Sequence, residues 1–304
     1  MTITQQENTK AGFVAIIGAP NAGKSTLMNL ILGQKIAIAT HKVQTTRTNM
    51  RGVHTVGKSQ FIFVDTPGIH KPRRTFDEAM VNAANQAWQD ADVILFLIDA
   101  VTGFKKDVRN IIDQVKHTKK PVVIVLNKVD KIKKDKLLPL MQELGQYEAF
   151  RNVFAISATT ATGVEDMLQK IETYLPKSPF LFDPDDLTDT PMRLIAAEIT
   201  REKAFTYLHQ ELPYALMVET VSYDTTKQDV TIHQNIIVER DGHKGIVLGN
   251  KGETVKLIGS EARKDLEKFL DCKVNLFIKV KVRKNWSENA SLMRSIGLEP
   301  PAAK

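Results

Sequence analysis

The sequence predicts two folded domains: an α/β domain with a mainly parallel sheet and helices on both faces, then a smaller α+β domain. Three observations carry this. Short apolar runs alternate with helical patterns from residue 13 to about 175; "PKSPFLFDPDDLTDTP" (176–191) interrupts them with four prolines and four aspartates; beyond it the order of elements changes. A length of 304 residues suits two domains, and 42% hydrophobic with 25% charged residues suits a soluble chain with a real core.

In the first half, "FVAII" (13–17), "FIFV" (61–64), "VILFLI" (93–98), "VVIVL" (122–126) and "VFAI" (153–156) read as strands. They are almost continuously apolar, as strands buried on both faces should be. Helical patterns fall near 24–33, 73–90, 105–118, 133–146 and 164–174, and "TNMRGVHT" (48–55) reads as an antiparallel edge strand. The domain is expected over 13–175, after a flexible N-terminus (1–12) that lacks the pattern of a signal peptide. Residues 176–191 read as a linker. The second domain, 192–284, reads as a helix (192–207), two strands (214–223 and 229–240), a helical region and a last strand (274–283), with a helix and tail over 285–304. No apolar run is long enough to span a bilayer. The lone Cys272 excludes an intramolecular disulfide and reads as a packing residue. A formal charge of +7 favours an anionic partner without identifying it.

"GAPNAGKS" (18–25) fits G-x-x-x-x-G-K-[ST] and lies between a strand and a helix, the context such a loop needs. Gly18 and Gly23 let backbone N–H groups turn toward phosphates at the positive end of the helix, Lys24 reaches the β- and γ-phosphates, and Ser25 ligates Mg²⁺. Ala19, Pro20, Asn21, Ala22 and Thr26 complete the loop. "DTPG" places Asp65 at a strand end, where its carboxylate holds Mg²⁺ through water, with Thr66, Pro67 and Gly68 at the γ-phosphate. In "NKVD" (127–130) Asp130 accepts two hydrogen bonds from the guanine edge, a pair that adenine does not offer. Asn127 ties the base loop to the phosphate loop, Lys128 covers the base, and Ser157 and Ala158 close over guanine through backbone groups. In "HKVQTTRTNM" (41–50) Thr46, preferred to Thr45, is the candidate Mg²⁺ ligand that responds to γ-phosphate. Arg47 reads as a solvated loop residue, with a catalytic arginine as the alternative, and His70 likewise as a solvated residue rather than a base. The position after Gly68 holds Ile69, which cannot orient a water by hydrogen bonding.

The set GAPNAGKS, QTTR, DTPG, NKVD and SA resembles the translation-factor-related branch of P-loop GTPases. In that branch an asparagine placed as Asn21 is helps hold K⁺ against the phosphates; a loop-capping asparagine is the alternative. Further on, Gly249-Asn250-Lys251-Gly252 lies between apolar segments, where two glycines let the backbone approach a sugar-phosphate chain and Lys244, Lys251 and Lys256 add charge. Val255, Ile258, Ala262, Leu266 and Phe269 recur at helical spacing as a core stripe. The last strand alternates an apolar face with a basic one, and residues 243–284 hold 11 Lys or Arg against 5 Asp or Glu. In this α-β-β-α-α-β order the loop resembles that of a type II KH domain, an RNA-binding unit.

A GTPase of this branch joined to a C-terminal KH domain resembles the Era family of ribosome-assembly GTPases over about 13–284. The resemblance implies a slow GTPase that binds GTP and GDP with Mg²⁺. It also implies binding of the 3′ end of small-subunit ribosomal RNA and the 30S subunit, a role in maturing that subunit, and a cytoplasmic monomer peripherally associated with the cell membrane. GTP would order the loops around 41–48 and 66–76. Two other readings stay open: a binding module in which Ile69 reports lost catalysis, and an ATP-using enzyme without guanine preference.

Overall fold

The computed structural model describes residues 8–40, 42, 45–68, 72, 74–147, 150–209 and 212–301. The chain divides into two compact units: Met1–Ala37 with Thr46–Pro72 and Met80–Asp189, and Thr190–Lys304 with the short segments Ile38–Thr45 and Arg73–Ala79.

The first unit is built on a six-stranded sheet in the order β2-β3-β1-β4-β5-β6. Its strands are β1 (Lys10–Gly18), β2 (Met50–Val56), β3 (Ser59–Asp65), β4 (Val93–Asp99), β5 (Val122–Asn127) and β6 (Phe150–Ala155). Only β2 runs antiparallel, at the edge. Helices α1 (Lys24–Leu32), α2 (Thr75–Asp90), α3 (Lys106–Val115), α4 (Lys134–Gly145) and α5 (Val164–Glu172) follow the strands as the alternating pattern requires. One sheet face (Ala15, Ile17, Ile94, Phe96, Ile124, Leu126) packs against Ala84, Val108, Ile111 and Leu144 of α2, α3 and α4. The alternate residues Val14, Ile16, Leu95, Leu97, Val123 and Val125 are equally buried, as are Leu27, Met28, Met167 and Ile171 of α1 and α5. Burial on both faces is why these strands have no polar alternation.

Residues 176–189 run along this unit. Ser178 N–H donates to Thr9 O (3.1 Å). The buried Gln60 amide accepts from Leu181 and Phe182 N–H (2.8 and 3.0 Å) and donates to Phe182 O (3.0 Å). Val53 N–H donates to Leu187 O (2.8 Å), and Arg51 pairs with Asp189 (2.9 Å). The stretch that composition marks as a linker is thus hydrogen-bonded along β2 and β3.

The second unit contains α6 (Met192–Tyr207), β7 (Leu216–Thr225), β8 (Asp229–Val238), α7 (Asp241–Leu248), α8 (Glu253–Leu270), β9 (Lys273–Val282) and the short α9 (Ala290–Ser295). The sheet order is β7-β8-β9, with β7 and β8 antiparallel and β8 and β9 parallel. One face, with Leu216, Val218, Ile236, Val238, Ile278 and Val280, packs against Ala197, Ala204, Val247 and Ile258 of the helices. Ile258, Ala262 and Leu266 are buried as the α8 stripe predicts.

Candidate nucleotide and RNA sites

The loop between β1 and α1 takes backbone shapes that its glycines permit. Gly18 has φ 155° and Gly23 φ 99°. A Cβ on Gly23 would lie 2.2 Å from Asn127 Nδ2, so the close approach itself demands glycine. Lys24 is 6% exposed and its Nζ donates to Gly18 O and Ala19 O (3.2 Å each). Burial pulls its pKa below the usual lysine value, against the opposing pull of Asp65. Thr26 follows Ser25 in the first turn of α1.

Ser25 Oγ donates to Asp65 Oδ2 (2.6 Å), Thr46 Oγ1 donates to the same oxygen (3.0 Å), and the two hydroxyls lie 3.0 Å apart. All three residues are buried. This is a hard-oxygen set beside the helix N-terminus, and it fits Mg²⁺, which is held by a few protein oxygens, with water and phosphate completing the octahedron. Of the two threonines weighed from the sequence, Thr46 takes this place; Thr45 instead offers its carbonyl to Arg201 within the second unit. Thr66 Oγ1 donates to Ile16 O (2.9 Å), fixing the start of the following loop to β1. Pro67 follows, and a Cβ on Gly68 would lie 3.1 Å from Pro20 Cγ. Ile69 and His70 lie outside the described residues. Arg47, expected to be solvated, is 3% exposed.

At the end of β5, Asn127 Nδ2 donates to Ala22 O (2.8 Å), and its Oδ1 accepts from Lys128 N–H (2.8 Å) and Ala158 N–H (3.0 Å). One buried amide therefore ties together the phosphate loop, the NKVD turn and the SA segment. Lys128 has φ 67°, and its Nζ donates to Asn21 O (2.6 Å) and Asp99 Oδ2 (2.7 Å), reaching over the loop toward β4. Asp130 lies on an exposed turn, and Ser157 is buried with its Oγ 3.0 Å from Thr159 Oγ1. Asp99 was missed by motif reasoning. Part of the signal was available: a carboxylate closes the apolar run "VILFLID" as an asparagine closes "VVIVLN"; that the two stand opposite each other comes from the β4–β5 register, which the sequence does not give.

In the second unit, α7 ends at Gly249 (φ 69°, ψ −175°), and a Cβ there would meet Thr254 Oγ1 at 2.2 Å. Lys251 (φ 49°) and Gly252 (φ 83°) are also left-handed, making a tight turn into α8. Asn250, Lys251 and Lys256 are exposed and Lys244 is half-buried. Beside them Ile246 (58% exposed) and Leu257 (44%) present apolar surface that no sequence motif marks.

A phosphate loop, an oxygen set for Mg²⁺ and an NKVD clasp on a parallel sheet, followed by a sheet with a Gly-x-x-Gly helix pair, define a P-loop GTPase carrying a KH domain. Residues 13–128 match the family described as 50S ribosome-binding GTPase, and residues 211–287 match the KH domain. GTPase Era of Mesorhizobium japonicum is 47% identical over 96% of this chain and 95% of its own. That of Caulobacter vibrioides is 45% identical over 96% and 97%. Two solved structures, each 38% identical with a TM-score of 0.91, cover 95% of this chain and 99% of their own. One is an Aquifex aeolicus Era variant bound to GDP·AlF4⁻; the other is Era with MgGDPNP and nucleotides 1506–1542 of 16S ribosomal RNA. The chain belongs to the Era family of GTPases.

Proposed function

We propose that the protein is a slow GTP-driven switch that binds the 3′ end of small-subunit ribosomal RNA through its KH domain and acts in assembly of the 30S subunit. The observation that carries the switch is the convergence of Ser25, Thr46 and Asp65 within 3.0 Å, with Thr46 supplied by the loop that should respond to γ-phosphate. Bound Mg²⁺ supplies positive charge against the phosphate oxygens. Lys24, its charge disfavoured by burial, is stabilised as the cation by the phosphates it contacts. Asn127 fixes the base loop so that Asp130 meets the guanine edge. The RNA reading is supported by the solved relative that holds a 16S fragment and by the exposed Lys251 and Lys256 at the Gly-x-x-Gly turn.

Asn21 would be the residue that helps hold a potassium ion against the phosphates, and such an ion would supply the second positive charge that a Ras-type partner's arginine otherwise brings. The site acts in a cytoplasmic monomer that touches the inner membrane face peripherally. Among the described residues no helix is long and apolar enough to cross a membrane, and the +7 charge suits an anionic surface. Single-turnover phosphate release in K⁺ and in Na⁺, with and without a 16S 3′-end fragment, tests the reading. Faster release in K⁺ and with RNA is expected. No nucleotide-dependent release in any buffer would leave a binding module instead.

A further inference from the structure

The sheet of the second unit has a face that the Gly-x-x-Gly loop does not use. The residues packed on α6, α7 and α8 are the even-numbered ones of β7, β8 and β9 near the core, and the loop joins two of those helices. The odd-numbered residues of β8 and β9 point the other way. At one end this second face is buried, at Met217 and Ile237. At the other it is open: His233 and Phe277, paired across β8 and β9, stack with ring centroids 4.8 Å apart at 14°, and Phe277 is 52% exposed.

Along β9 the same face carries Lys273, Lys279, Lys281 and Arg283, all exposed, and no acid. Successive cations at Lys279, Lys281 and Arg283 are about 6.7 Å apart along the strand. The acids of the face are on β7 and β8 and, one residue past β8 and opposite Arg283, at Glu239, and three of them are engaged: Glu239 accepts from Asn285 N–H (2.6 Å). Glu219 accepts from Asn235 Nδ2 (3.2 Å); Asp229 accepts from Thr226 Oγ1 (2.6 Å) and Asn275 Nδ2 (3.0 Å). Asp224 is exposed near the β7–β8 turn.

A flat aromatic pair beside a row of cations matches a partner with planar groups and regularly spaced negative charge. We propose that this face is a stacking platform for unpaired nucleotides of an RNA strand, distinct from the Gly249–Gly252 turn. This rests on the RNA reading above and extends it. Paired bases have no free ring face to offer, so the occupant is single-stranded. A chain longer than the roughly four nucleotides that a KH loop clamps would meet both surfaces.

The test uses the full-length protein with two unpaired oligoribonucleotides, a four-mer and a twelve-mer, each containing 2-aminopurine, whose fluorescence is quenched on stacking. Phe277→Leu keeps apolar bulk at a half-exposed position but cannot stack. It should weaken twelve-mer binding about 5- to 150-fold and abolish part of the quench, with four-mer binding unchanged. The Lys279→Gln/Lys281→Gln double variant should lower the salt slope by about 0.7 for each phosphate it no longer neutralises. Lys251→Gln should weaken both probes. If it changes neither while Phe277→Leu still weakens the twelve-mer, the loop reading falls and the platform stands. Twelve-mer affinity and quench equal to wild type in both the Phe277 and the lysine variants overturn the platform alone. Failure of wild-type protein to bind either probe overturns both.

Discussion

Asn127→Ala removes three hydrogen bonds at one buried point and strands Ala22 O, Lys128 N–H and Ala158 N–H. Each orphaned buried group costs about 1–3 kcal/mol, and water entering the vacated volume puts the sum near the low end, about 3 kcal/mol. For a unit of this size 1 kcal/mol moves the midpoint by about 2–4 °C, so the nucleotide-free protein should melt about 6–12 °C lower. Calorimetry of the full chain measures this, with Asp130→Ala as the control. Asp130 is exposed, so its loss should cut guanine-nucleotide affinity and leave melting of the free protein alone. Titration with GDP should show Asn127→Ala weaker by about tenfold or more, since the loops must then be ordered on binding. Melting of Asn127→Ala within about 2 °C of wild type would refute the claim that this amide holds three loops together.

Asp130→Asn should shift nucleotide preference from guanine to xanthine, read by competition binding; unchanged preference would remove Asp130 from base recognition. Gly249→Ala forces a side chain into a left-handed turn against Thr254. It should cost about 1–3 kcal/mol of stability and weaken four-mer binding, measured by melting and anisotropy. His54 is half-buried, and burial holds its pKa below the ordinary 6.5. As pH falls the unfolded chain therefore takes up this proton first. The stability contributed by the neutral ring is complete above pH 6.5 and is lost below it, toward the folded pKa. Wild type should lose more melting temperature than His54→Phe between about pH 7.5 and 5.5.

The buried strands were legible because burial on both faces removes polar residues from the sequence, and the phosphate loop because its backbone needs glycine at fixed spacing. NKVD gave the clasp residue, yet not that Lys128 reaches Asn21 and Asp99 at 2.6 and 2.7 Å. A long flexible side chain has no spacing rule that says where its end will rest. Arg47 looked solvated because a cationic residue in a polar loop usually is; tertiary structure buried it. Residues 176–189 looked free because their composition is that of a linker, whereas Gln60, more than a hundred positions away, supplies three of their hydrogen bonds, and Thr9, Arg51 and Val53 hold the rest of the stretch. Stacking of His233 on Phe277 depends on the β8–β9 register, which no local pattern specifies.

Thr45 and Thr46 are neighbours with different allegiances. Arg201, 2% exposed on α6 and paired with Glu198, donates to the Thr45 carbonyl, while the Thr46 hydroxyl belongs to the Ser25 and Asp65 set. Lys42 Nζ adds a second tether to α6, donating to Leu208 O (2.6 Å) and to Phe205 O. Within the second unit, the segment that ends at Thr45 is therefore pinned to one helix at two points, by Arg201 and by Lys42. A segment pinned twice behaves as a short strap: to lift it, the Lys42 bonds and the bond from the buried Arg201 must let go together.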